Sequence, residues 1–133
     1  MEIWIKNPIF PDLKLWIGAI ERFKKNKKNT IKLIHRGFFL ENSKKYRNHP
    51  RWDLLKIIRK QYPKIPIILD PSHIAGNRKL IYPICKKALE EKVDGLMIEV
   101  HHEPDKALCD AKQQLYPSQF KQLLINLGLK QPS

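Results

Sequence analysis

Cysteine is scarce in this sequence, and the two present, Cys85 and Cys109, have no CxxC spacing. That excludes a disulfide-stapled scaffold and a thiolate zinc site, and Cys85, inside an amphipathic run, reads as a small core residue. No apolar run is long enough to suggest a membrane span, and Met1 to Pro8 lack the basic-then-apolar order of a signal peptide. Acidic residues are few, 13 against 26 basic ones, for a formal charge of +13. Most of the excess is lysine in runs such as Lys24-Lys25-Asn26-Lys27-Lys28, without interleaved aromatics for base stacking. It reads as a solvated surface, so neither a nucleic acid nor a membrane is expected as partner, and the chain is expected in the cytoplasm.

Apolar residues make up 42% of the 133, enough to bury a core, and one domain with no second is expected. One pattern occurs four times: a short β-branched run, a polar loop, then helical periodicity. The strands are expected at 3–6, 30–34, 65–69 and 95–100. The helices are expected at about 13–25, 51–61, 79–92 and 118–127, the last capped by Gly128. Alternation at roughly thirty-residue spacing means a parallel sheet, either doubly wound or part of a (β/α) barrel. Both place function at the C-terminal ends of the strands.

Those ends carry Lys6, His35 with Arg36, Asp70 with His73, and Glu99 with His101 and His102. Charged groups at all four ends are costly to desolvate unless paired or ligated, so they mark a candidate site. Lys6 and Arg36 suit an anionic substrate, Arg36 because its guanidinium forks onto phosphate or carboxylate. The competing reading pairs them with Glu99 and Asp70 as a structural network. His73, Glu99 and Asp110 offer one nitrogen and two oxygen donors, a set suited to Mn²⁺, Fe²⁺ or Zn²⁺ more than to Ca²⁺. His101 and His102, adjacent on an extended segment, are expected to point to opposite faces. The long loop from Gly37 to Pro50 is a further candidate for function.

Six segments in order carry a resemblance: Lys6-Asn7-Pro8, Ile34-His35-Arg36-Gly37-Phe38, Tyr46-Arg47-Asn48, Asp70-Pro71-Ser72-His73, Gly95-Leu96-Met97-Ile98-Glu99-Val100-His101, and Pro104 through Asp110 to Gln114. Together they resemble successive motifs of type I 3-deoxy-7-phosphoheptulonate (DAHP) synthases, in the form fused to a chorismate mutase domain. The resemblance covers essentially the whole chain and implies the last four βα units of a TIM (β/α)8 barrel. It implies condensation of phosphoenolpyruvate with erythrose 4-phosphate to give DAHP and phosphate, the first step of the shikimate pathway. It also implies that Lys6 contacts phosphoenolpyruvate, that Arg36 binds phosphate, and that His73, Glu99 and Asp110 are three of four divalent-metal ligands. Asp70 would orient its neighbours rather than bind metal, and His35 is given no chemistry.

The family's fourth ligand, a cysteine, and its Lys-Pro-Arg motif belong to the first four units and have no match here. The resemblance therefore implies a chain that needs an N-terminal half-barrel to complete the site, or that pairs with a second copy of itself into a barrel still lacking those groups. A noncatalytic half-barrel interaction module, or a gene remnant, that associates with a synthase or mutase partner is the alternative.

Overall fold

The computed structural model describes residues 1–129. Four strands, β1 (Glu2–Lys6), β2 (Thr30–His35), β3 (Ile67–Leu69) and β4 (Gly95–Leu96), form one sheet in that order, every neighbouring pair parallel. The helices are α1 (Leu13–Lys24), α2 (Trp52–Gln61), α3 (Pro71–Ala75), α4 (Ile81–Glu90) and α5 (Pro117–Asn126), with short 3-10 turns at Arg78–Leu80 and Pro104–Lys106. Parallel neighbours need crossover connections, and the helices supply them. Sequential strands joined in this way are four βα units and fit part of a (β/α)8 barrel.

Alternate side chains of a strand point to opposite faces. Ile5, Leu33 and Ile67 form a core with Trp16 and Ile20 of α1 and Leu55 and Ile58 of α2. Leu69 joins a second cluster with Ile81, Ile84, Cys85 and Ala88 of α4 and Leu123 of α5. Burial pushes the Cys85 thiol up to about 12, so it is an inert core group. Among the described residues no helix is long and apolar enough to cross a membrane.

Helix boundaries follow local chemistry. Asp12 caps α1 by accepting from the Lys14 N–H at 2.9 Å. At the end of α5, Gly128 takes a left-handed φ of 69° while Leu129 N–H donates to Leu124 O and Gly128 N–H to Ile125 O, which closes a Schellman motif.

Four expectations need correction. The fourth strand pairs only at Gly95–Leu96, because beyond Met97 the chain leaves β3: Leu115 N–H donates to Glu99 O and His101 N–H to Leu115 O. The third begins at Ile67 rather than residue 65; Pro66 has no N–H to donate, although its carbonyl accepts from Leu33. The fourth-unit histidines do not diverge, since the chain bends after His101 and the two rings stack at 4.6 Å. Pro83 lies in the first turn of α4, where its missing N–H costs little, and a 3-10 turn replaces the expected start of that helix near Lys79.

Candidate active site

The C-terminal end of β3 runs directly into α3. Asp70 is the N-cap and Pro71 occupies the first helical position, a pairing that starts a helix at once. One carboxylate oxygen of the buried Asp70 accepts from the His73 backbone N–H at 3.0 Å, and the other lies 2.7 Å from His73 Nδ1. The ring is thereby fixed with Nε2 facing outward. Nε2 lies 3.7 Å from Glu99 Oε1 and 3.5 Å from Asp110 Oδ2. The three donor atoms all lie within 4.8 Å of one another.

Separations of this size suit ligands that share one ion at about 2 Å from each. The mixed imidazole and carboxylate donors fit a borderline divalent cation, and the residues present therefore fit the metal that the sequence implies. The Asp70 carboxylate at Nδ1 pushes the His73 pKa up, helped by the negative charges of Glu99 and Asp110. Arg47 beside Asp110 pulls that carboxyl down, so it stays ionised.

Glu99 follows β4, and its backbone N–H donates to Ser72 Oγ at 3.0 Å, which ties the fourth unit to α3. Asp110 sits in the β4–α5 connection with φ of 53°, held there by Gln113 N–H and Gln114 N–H, which both donate to its carbonyl. An open cleft of about 420 Å³ beside this centre is lined by Arg47, Gly76, Asp110 and Gln113.

The first two units present cations instead. Lys6 ends β1, paired in register with Ile34, and is exposed; Arg36 follows β2 and is half-buried. Asn7, fully buried, holds Arg36 in place: its Oδ1 accepts from Arg36 N–H at 2.7 Å and its carbonyl from Arg36 Nε at 3.1 Å. The Asn7 amide donates to Gly37 O and Pro8 O. Gly37 takes φ of 79°, and an added Cβ would meet Asn48 at 2.8 Å, so only glycine fits there. The competing network is not formed, for among the described residues neither Lys6 nor Arg36 pairs with a carboxylate.

The sequence model described as the DAHP synthetase I family matches residues 1–130. The chain belongs to this family. It is 46% identical over 68 residues to the phospho-2-dehydro-3-deoxyheptonate aldolase of Thermotoga maritima, a match that covers 51% of this chain and 20% of that protein. It is 36% identical over 73 residues to the 2-dehydro-3-deoxyphosphooctonate aldolase of Desulfotalea psychrophila, covering 47% of this chain and 26% of that one. The crystal structure of the Thermotoga maritima DAHP synthase superposes with a TM-score of 0.85 at 31% identity, over 96% of this chain and 37% of the other. The chain thus spans well under half the length of these family members.

Three contributors in the family segments escaped the sequence reading: Asn7, Arg47 and Gln113. Each lies inside a motif already singled out, but nothing in its residue type marks it. Asn7 alone directly follows a strand end, and Asn7 and Gln113 are buried, so their amides must find partners, whereas Arg47 is exposed and is recognised only by its contacts with Asp110 and Gln113.

Proposed function

We propose that the chain is the C-terminal, four-unit portion of a 3-deoxy-7-phosphoheptulonate synthase barrel. In that reading it condenses phosphoenolpyruvate with erythrose 4-phosphate once the remaining four units are supplied by another chain; a second copy would close a barrel without the missing cysteine and Lys-Pro-Arg groups. The observation that carries it is the convergence of His73 Nε2, Glu99 Oε1 and Asp110 Oδ2 at the strand ends of a chain that matches the family from residue 1 to 130. Residues 1–133 would then be a single partial barrel domain, with no further domain inside them.

His73, Glu99 and Asp110 would hold one divalent ion, Mn²⁺, Fe²⁺ or Zn²⁺, which when bound supplies Lewis-acid polarisation of a carbonyl. Asp70 keeps the His73 ring oriented and Nε2 free of other duty. Lys6 and Arg36 are the substrate cations: Arg36, pinned by Asn7 through its backbone and Nε, keeps its terminal guanidinium nitrogens for a phosphate. Lys6 is assigned to phosphoenolpyruvate, where a point charge offsets the developing negative charge.

The sheet supports the need for a complement. Among the described residues its outermost strands, β1 and β4, each lack a strand partner on the outer side, an arrangement that invites pairing. The segments resemble the synthase form fused to chorismate mutase, so a mutase-bearing chain is the second candidate partner. Phosphorylated substrates and two free thiols suit the cytoplasm.

The test mixes this chain with the first four βα units of a family member and measures phosphate release from phosphoenolpyruvate with erythrose 4-phosphate and Mn²⁺. Turnover should appear only in the mixture and fall by at least about a thousandfold with His73→Ala. A mixture that assembles but turns over equally with His73→Ala would sink the proposal. Preference for a five-carbon over a four-carbon aldose phosphate would move the chain to the phosphooctonate side of its relatives.

A further inference from the structure

The three donor atoms are half of each ligand; the other half is also occupied. Gln113 Nε2 donates to Glu99 Oε2 at 2.8 Å, and Gln113 Oε1 accepts from Arg47 Nη1 at 2.9 Å. The same Nη1 donates to Asp110 Oδ1 at 2.5 Å. One continuous path therefore runs from Glu99 through Gln113 and Arg47 to Asp110. It takes one oxygen of each carboxylate and leaves the other, Oε1 or Oδ2, facing His73.

The members of this path are themselves held. Gln113 is buried, a cost that only a fully engaged amide offsets. The segment carrying Arg47 leans on α3: Arg47 N–H donates to Ala75 O, Asn48 N–H to Ile74 O, and Asn48 Nδ2 to His73 O at 3.0 Å. Gly76, at φ of 64°, makes room for this, since an added Cβ would lie 2.6 Å from Arg47 Cβ. The long loop between β2 and α2 is thus fastened to α3 and, through Arg47, to the β4–α5 connection.

We propose that Arg47 and Gln113 form a positioning strap, which sets the rotamers of Glu99 and Asp110 before an ion arrives and so raises divalent-metal affinity. This rests on the metal centre assigned under the proposed function. Neither residue touches the ion; each acts through a carboxylate, as outer partners of metal ligands do. Arg47 carries a charge that also repels a cation, so the neutral Gln113 is the cleaner probe.

The experiment measures the Mn²⁺ dissociation constant of the full chain from the free-ion electron paramagnetic resonance signal, with circular dichroism to check the fold. Gln113→Leu and Gln113→Met should each weaken Mn²⁺ about tenfold or more, and the Co²⁺ absorption spectrum should change shape as the ligand geometry loosens. Gly76→Ala, which alters no hydrogen-bonding side chain, should weaken binding in the same direction by displacing Arg47. Dissociation constants within about twofold of wild type in folded Gln113 variants overturn the strap. If both Gln113 variants lose their fold, Gly76→Ala decides by the same criterion. Failure of the wild-type chain to take up Mn²⁺ overturns the metal centre and the strap together, whereas uptake indifferent to Gln113 overturns the strap alone.

Discussion

The two faces of the sheet have different coverings. On one, Ile5, Leu33 and Ile67 are sealed under α1 and α2. On the other, Trp4 is 43% exposed and shares a polar cluster: its indole N–H donates to Glu2, Lys32 Nζ lies 3.4 Å from Glu2 Oε2, and that ammonium sits 4.9 Å from the Trp4 ring. The first face is finished within this chain; the second is a surface of mixed character in which water and indole both contact the charges. Stability of the chain alone should therefore rest on the helix-covered face. Leu33→Ala, at a fully buried position, should cost about 2–5 kcal/mol, read by urea denaturation. A cost below about 1 kcal/mol would mean that this core is not what holds the sheet.

A second contrast sharpens the first. His35 ends β2 and His73 follows β3, and the two sit in opposite surroundings. His35 lies on the sealed side, stacked on Trp16 and tilted against Phe38 and Trp52, with Nε2 bonded to Pro50 O and Nδ1 without a partner. Burial drives its pKa down to about 4. His73 faces carboxylates, and its pKa rises.

For His35 the folded pKa is depressed below that of the unfolded chain, about 6.5. The unfolded chain therefore binds the extra proton first, and stability falls as pH drops from about 6.5 to about 4. The loss attributable to this residue approaches about 3 kcal/mol at the bottom of that window. Carboxylates titrate in the same range, so the comparison is with His35→Phe: the variant should show a shallower decline in unfolding free energy between pH 6.5 and 4. Parallel declines would remove His35 from the sealed face.

These contrasts explain what could be read beforehand. Period-two and helical patterning revealed the four βα units, because alternation and amphipathicity are local consequences of burial. Ile98 to Val100 have strand composition, which predicts a longer fourth strand, but Val100 pairs with Leu115, whose place is set by the path of a distant loop. The short helix α3 has an explicit cap in Asp70 before Pro71, but its five residues are too few to show a helical period. Residue type singled out His73, Glu99 and Asp110 for a site, but their convergence needs three connections to close in space. Asn7, Arg47 and Gln113 were invisible for a related reason, since an amide or guanidinium becomes informative only when its partners are known.

The smallest expected effect tests the open face directly. In the chain alone, Trp4→Ala removes a half-exposed ring, one indole hydrogen bond and one cation–π contact, and should cost at most about 1 kcal/mol in a urea melt. If the open face is the one that a complementing half covers, the same substitution would remove a large aromatic from a buried contact. Buried tryptophans at interfaces are worth about 2 kcal/mol or more, so association with the complementing half should weaken by at least about tenfold. Sedimentation or calorimetric titration of the two halves reads this, with Leu15→Ala on the outer surface of α1 as a control that should leave association unchanged. A Trp4→Ala chain that associates as tightly as wild type would place the complement elsewhere, and the polar cluster of Glu2, Trp4 and Lys32 would be an ordinary solvated surface.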